Sequence, residues 1–185
     1  NYPAGFFGVF TGSYDIESAY CKVTGVYTNK APGGVAYACS FRITEAVYLV
    51  ERMIDILAYD LNMDPAELRM KNLLRPDQFP YTSKTGWVYD SGDYAKTLRL
   101  AMDIAGYEEL RAEQQQKREI QAQPGERAGV PLMGIGISFF TEAVGAGPRS
   151  HMDILGLGMA DGAELRVHPT CKAVLRLSVQ SQGQG

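Results

Sequence analysis

The stretch GGVAYACSFRITEAVY, Gly33 to Tyr48, sets a lone cysteine, Cys39, between a glycine turn and the start of a helix. A thiol just before a helix N-terminus feels the positive end of the helix dipole, which lowers its pKa and favours the thiolate. The preceding glycines let the backbone come close to a bound group. A soft thiolate in that setting suits a soft metal such as Cu(I). Two other readings stand beside it. Cys39 also fits a small buried hydrophobe at a strand-to-helix junction, the role of most free cysteines. It fits, too, the nucleophile of a cysteine hydrolase, which needs a histidine partner. His151 and His168 both sit in strand-like or loop contexts with no supporting signature. A second candidate is the terminal QGQG, Gln182 to Gly185. Glycines at a strand-to-helix turn expose successive backbone N–H groups, which attract phosphate. Glutamine amides donate and accept at once.

The elements that must position these groups follow from pattern. TGSYDIESAYCKVTGVYTN carries β-branched and aromatic residues in partial alternation and predicts one or two strands, with Ile16 to Tyr27 the best stretch. From Thr44, apolar residues Val47, Val50, Ile54, Leu57, Ala58 and Leu61 recur every three or four positions, which predicts a helix ending near Asn62. DPAELRMKNLL opens with Asp64 as N-cap, Pro65 at the first helical position and Glu67 two residues on, a capping-box start. RPDQFPYTSKTGWVYDSG holds too many breakers for a helix and reads as an irregular connection with a short hairpin. Beyond it, SGDYAKTLRLAMDIAGYEELRAEQQQKREIQAQ reads as a helix, a break at Gly106 and a second, charged helix ending before Pro124; the last third of this stretch is polar all round and predicts a solvated arm. PGERAGVP, Pro124 to Pro131, marks a boundary. Past it LMGIGISFFTEAV, GAELRVHP and KAVLRLSVQ read as strands, the last two joined as a hairpin through HPTC. The fold class is therefore α+β, with mixed sheets and packed helices: residues 1–127 form one unit and 128–185 open a second.

Composition bounds the function. The chain has 185 residues and 45% hydrophobic content, which suits a globular protein. A net charge of −3 offers no basic face for nucleic acid or anionic lipid. No apolar run reaches the roughly 18 residues of a membrane span, and the N-terminus lacks the basic region of a signal peptide. Cys21, Cys39 and Cys171 contain no CxxC, which fits a reducing compartment and a cytoplasmic location. Two isolated histidines do not suggest a histidine zinc site. The first residue is not Met, and the last glycines fall where a turn would hand over to another element, so an internal piece of a longer protein is expected. Strands from Ala128 onward are then expected to have partners elsewhere and to leave Ile135, Ile137, Val174 and Leu177 exposed.

At Ala36 to Arg42 the residues carry a resemblance. AYACSFR resembles the active-site loop of the large subunits of aerobic carbon monoxide dehydrogenases, the copper-containing molybdenum hydroxylases of the xanthine dehydrogenase-like superfamily. The flanking GGVAY and ITEAVY, and DPAELRMKNLL, YDSGDY and QSQGQG, are similar to that family as well; YDSGDY and QGQG belong to the wider superfamily, whose copper-free members carry a glycine-rich loop in place of the cysteine motif. The resemblance implies the molybdopterin-binding region of such a subunit, with the end of a first molybdopterin-binding domain at 1–127 and the start of a second at 128–185. It implies a Mo–S–Cu centre with molybdenum on molybdopterin cytosine dinucleotide and Cu(I) held by Cys39. Val35 and Phe41 would wall the gas pocket, and Ser40, Gln182, Gly183, Gln184 and Gly185 would contact the cofactor. CO would be oxidised to CO2 with water. Electrons would pass to [2Fe-2S] clusters on an iron–sulfur small subunit and to FAD on a medium subunit. A second copy of the large subunit would complete the assembly, in the cytoplasm or at the inner face of the membrane.

Three departures stand out. Ala38 occupies a position where the resemblance leads one to expect arginine, and Cys171 one where it leads one to expect glycine. The family's GGGFG-type loop and catalytic glutamate do not occur in these residues, so this chain by itself is expected to be inactive. Two alternatives remain: a copper-free molybdenum hydroxylase acting on aldehydes or N-heterocycles, and a non-catalytic scaffold in which Cys39 is structural.

Overall fold

The computed structural model describes residues 7–27, 29, 43–122, 131–141 and 162–178. Helix α1 spans Ile43–Asp60, starting where the sequence predicts, with Glu45 in its first turn at the positive end of the dipole. Asn62, at φ 49°, turns the chain out of it, and the Met63 N–H donates back to the Ala58 carbonyl at 2.9 Å. The buried face of α1 is Ala46, Val50, Glu51 and Ala58; Leu57 and Leu61, expected on that stripe, are exposed.

Helix α2, Pro65–Asn72, begins as predicted: the Asp64 carboxylate accepts from Ala66 N and Glu67 N at 2.8 and 3.2 Å. Glu67 pairs forward with Lys71 at 2.7 Å. A 3-10 turn at Pro76–Gln78 leads to the expected short hairpin, β1 Tyr81–Thr82 and β2 Val88–Tyr89, with Tyr81 opposite Tyr89. Helix α3, Tyr94–Ala105, is capped by Asp93 and stops at Gly106, whose φ of 64° puts it in the left-handed region where a side chain is strained. Helix α4, Tyr107–Ala122, follows. Tyr107 at its start is buried, and the predicted arm further along is not wholly solvated: Gln114 is buried, and its Nε2 donates to the Met133 carbonyl at 2.9 Å.

The core gathers Tyr14, Val50, Leu73, Leu74, Tyr89, Tyr94 and Leu98. Phe79 and Phe139 meet Tyr94 at ring-centroid distances of 5.2 and 5.6 Å.

Two predicted strands are corrected. Among the described residues neither 16–27 nor 131–141 forms a ladder; one isolated bridge joins Tyr14 to Leu73. In 16–27 almost every residue is exposed, so the partial alternation reflects no buried face. In 131–141 the alternation is complete: Met133, Ile135, Ile137, Phe139 and Thr141 are half-buried and the residues between them exposed. Alternation reports that one face of an extended chain is buried; it does not report that another strand does the burying. Here Ile137 and Phe139 pack on the helix-and-tyrosine core. Ile135 and Ile137 are therefore not exposed as expected.

The last hairpin is as predicted. Strands β3 Ala163–Val167 and β4 Ala173–Leu177 pair antiparallel, with Leu165 opposite Leu175. All their residues are exposed, including Val174 and Leu177 as expected. Cys171 sits in the turn at φ 63°, a left-handed position that explains why glycine is the residue expected there. Among the described residues, no helix is long and apolar enough to cross a membrane.

One contact of α4 gives a pH prediction. The Tyr107 hydroxyl donates to the Asp64 carboxylate at 3.0 and 3.1 Å, and Arg111 Nε meets the same carboxylate at 3.0 Å. Burial first, then the bond and charge of Asp64, push Tyr107 from the usual 10.0 up to about 12. A raised folded-state pKa means that the folded protein holds this proton more tightly. Its contribution is thus complete below pH 10 and is lost as the pH rises through about 12. The stability advantage of the parent over Tyr107→Phe, read from paired unfolding curves, is expected to shrink across that window. An advantage independent of pH would contradict it.

Candidate functional site

Val35, Cys39, Ser40 and Phe41, together with Gln182, Gly183, Gln184 and Gly185, lie outside the described residues, as does the gas pocket expected between Val35 and Phe41. Helix α1 begins at Ile43, four residues after Cys39.

The first turns of α1 are held by the segment 7–14. Val9 and Ala46 bury each other, with Phe10, Val47 and Trp87 packed around them. Further along, Gly12 adopts φ 63° and lies so close to the helix that a Cβ there would stand 3.1 Å from Val50 Cγ1 and 3.2 Å from Tyr14 Cδ2. A side chain here would be strained by the backbone and would crowd Val50 and Tyr14. The connection around β1 and β2 contacts the same segment. Thr85 Oγ1 donates to the Gly8 carbonyl at 2.6 Å, and Tyr89 donates from its hydroxyl to the Gly12 carbonyl at 2.7 Å. Burial holds the Tyr89 hydroxyl well above the usual phenol range, so it remains a donor.

Beneath α1 lies a buried charge cluster. Glu51 accepts from the Tyr14 hydroxyl at 2.5 Å, from Arg69 Nε at 2.9 Å and from the Phe139 N–H at 2.8 Å. Arg69, with no exposed surface, donates from Nη1 to the Pro65 carbonyl and from Nη2 to the carbonyls of Glu51 and Ile137, at 3.1, 3.2 and 2.9 Å. Its Nη2 also meets Asp55 Oδ1 at 2.9 Å. Burial pulls the Arg69 pKa down, but the charge and hydrogen bond of Glu51, together with Tyr14 and the hydrogen bond of Asp55, leave Arg69 above its ordinary value, so it stays a cation. Burial and then Glu51 hold the Tyr14 hydroxyl far above the usual range, so it stays a proton donor.

Nearby, Ser13 and Thr141 share a 2.8 Å hydrogen bond between their hydroxyls. Together with the Arg69–Ile137 and Glu51–Phe139 bonds, this contact crosses the boundary expected near residue 127.

The sequence reading missed Glu51 and Arg69, though both left a signal. Glu51 lies four residues after Val47 and three before Ile54, on the apolar stripe itself. A carboxylate there requires a buried partner. Arg69 lies within DPAELRMKN with Pro65 and Leu73 four residues to either side, so its partner had to come from another element.

Among the described residues, no group of three or more His, Cys, Asp or Glu could hold a metal ion. Cys21 is half-buried and Cys171 exposed, both as free thiols.

Comparison with known proteins joins these observations. Residues 2–73, which contain the segment 7–14, α1 and α2, match the molybdopterin cofactor-binding domain. The chain is 56% identical over 184 residues to the carbon monoxide dehydrogenase large chain of Afipia carboxidovorans, covering 100% of this chain and 22% of that one. It is 29% identical over 177 residues to the nicotine 6-hydroxylase large subunit of Paenarthrobacter nicotinovorans, covering 95% of this chain and 20% of the relative. Its fold superposes on the crystal structure of the Cu,Mo-CO dehydrogenase in the carbon monoxide reduced state with a TM-score of 0.84, at 56% identity over 98% of this chain and 22% of that chain. The chain thus spans about a fifth of the length of the curated relatives it matches. It belongs to the family of molybdopterin cofactor-binding large subunits that includes the carbon monoxide dehydrogenase large chain.

Proposed function

We propose that the protein carrying this chain oxidises CO to CO2 with water at a Mo–S–Cu centre, and that Cys39 is the copper ligand. The observation that carries this reading is the 56% identity to a carbon monoxide dehydrogenase large chain, against 29% to a large subunit that acts on nicotine, an N-heterocycle. When bound, the metal centre supplies the two-electron chemistry CO + H2O → CO2 + 2 H⁺ + 2 e⁻, with Cu(I) as the soft site that attracts CO.

The residues fit that group in one testable respect. A copper-binding thiolate is favoured at a helix start, and α1 starts four residues after Cys39, with its first turns pinned by Val9 and Trp87. In this reading Val35 and Phe41 keep the pocket apolar, which admits a small neutral gas and excludes water. Ser40 and the backbone and amides of Gln182, Gly183, Gln184 and Gly185 hold molybdopterin cytosine dinucleotide. Residues 1–127 close a first molybdopterin-binding domain and 128–185 open a second. Electrons leave through [2Fe-2S] clusters on a small subunit to FAD on a medium subunit, within a cytoplasmic assembly containing two copies of the large subunit.

The test is elemental analysis of the complete enzyme, alongside CO-dependent dye reduction. Equimolar copper and molybdenum with CO oxidation is the expected result. Molybdenum without copper, with hydroxylation of an aldehyde or N-heterocycle, would overturn the reading in favour of a copper-free hydroxylase.

A further inference from the structure

The segment 131–141 is extended and belongs to no sheet among the described residues. Successive residues of an extended chain turn their backbone N–H and C=O groups to opposite edges. The odd-numbered edge is met by side chains. The Met133 carbonyl accepts from Gln114 of α4 and the Ile137 carbonyl from Arg69 of α2, and the Phe139 N–H donates to Glu51 of α1. Three helices thus supply the partners that a neighbouring strand would. The even-numbered edge differs. Leu132, Gly134, Gly136, Ser138 and Phe140 are exposed, and among the described residues their backbone groups meet no hydrogen-bond partner. A Cβ placed on Gly134 or Gly136 would meet nothing within 4 Å, so another backbone can approach there.

A bare edge of this kind is a template for another strand. Proteins that leave one in water guard it with charge, proline or a bulge. From Leu132 to Thr141 there is no charged residue and no proline. Such an edge has to be covered as the subunit folds, before any other subunit arrives, or copies would pair at random. That requirement favours a strand of the same polypeptide, which docks at the high effective concentration of a tethered segment. Among the described residues β3 and β4 are joined only to each other, so the hairpin does not fill the place. The chain spans about a fifth of the length of the large subunits it matches, and the rest of such a subunit is the source at hand. The exposed face of the segment sets the partner's chemistry. Leu132 and Phe140 stand at its ends with Gly134, Gly136 and Ser138 between them, a trough that a large apolar or aromatic side chain of a neighbouring strand would fill.

We propose that residues 132–140 form an edge strand whose open side is completed by a strand from the part of the same large subunit that lies outside this chain, with a large apolar side chain over Gly134 and Gly136. The side chains of Glu51, Arg69 and Gln114 close the opposite side.

The test uses the complete enzyme. Hydrogen exchange, resolved to single amides by electron-transfer fragmentation, is read at Gly134, Gly136, Ser138 and Phe140. These amides are expected to exchange at least about a hundredfold slower than in an unstructured chain. Faster exchange would overturn the paired edge. Replacing Phe140, and separately Leu132, with the photo-cross-linker benzoylphenylalanine identifies the partner, because opposed side chains on neighbouring strands lie about 5 Å apart. Both substitutions fall on exposed side chains. Irradiation is expected to leave the large subunit at its own mass on a denaturing gel, with a cross-linked peptide from outside this chain. A product of twice that mass would assign the edge to a second copy. One enlarged by the mass of another subunit would assign it to that subunit, and a peptide from β3 or β4 would assign it to the hairpin. Each of these would overturn the proposal, as would the lack of a cross-link from both positions.

Discussion

Replacing Cys39 with serine in the complete enzyme is expected to reduce copper to background and abolish CO oxidation, while molybdenum and the dinucleotide stay bound. Serine keeps the size and the backbone but offers a hard, poorly ionised oxygen, and Cu(I) prefers sulfur. The pterin is held in the proposed reading by other contacts, the terminal QGQG among them, so it should survive the change. Stability offers a second readout. If the side chain lines a polar cavity the change should cost little; if it is packed in the core, burying an unpaired hydroxyl costs about 1–3 kcal/mol. Copper and molybdenum per protein, with CO-dependent dye reduction, are measured side by side in parent and variant. Copper retained with full CO oxidation would show that Cys39 is not the ligand.

Why the sequence led to the cysteine but not to the charge cluster is a matter of range. The start of α1, the Asp64 cap, the Gly106 break and the β3–β4 hairpin are all set by residues within a few positions of one another, and each appears where the pattern puts it. The strands expected at 16–27 and 131–141 depend on what lies alongside, which local alternation cannot encode. In 131–141 the buried face is met by Tyr94 and the Arg69 side chain, residues tens of positions away. The Glu51–Arg69 pair is separated by 18 residues, and Glu51 and Phe139 by 88. A charge on an apolar stripe shows that a partner exists without showing where. The family motifs were legible because AYACSFR and DPAELRMKNLL are contiguous. Arg69 stood inside one of them, its role hidden because every acidic partner comes from α1.

Truncating Glu51 to alanine is expected to give the largest loss of stability of any single change at this site, about 3–5 kcal/mol, the usual result of removing one partner of a buried pair. Three donors lose their acceptor at once: the Tyr14 hydroxyl, Arg69 Nε and the Phe139 N–H. Asp55, which meets Arg69 at 2.9 Å with a side chain 31% exposed, still offsets part of the stranded charge and should bring the cost toward the lower end of that range. Hydrogen exchange locates the effect. Amides of α1, of α2 and at Phe139 should exchange about a hundred- to several-thousand-fold faster, while those of β3 and β4, which share no contact with the pair, should not change. Arg69→Met alone leaves the Glu51 carboxylate with two donors, and its cost should be smaller. The double variant Glu51→Leu/Arg69→Met removes both charges together. It should cost less than the two single changes Glu51→Leu and Arg69→Met added together, with a coupling of about 0.5–3 kcal/mol. It should not regain the parent's stability, because the buried Tyr14 hydroxyl loses its acceptor, and an unmet buried polar group costs about 1–3 kcal/mol. Strictly additive costs would show that Glu51 and Arg69 act separately, each through its own backbone contacts, and that the pair is not what holds α1 in place.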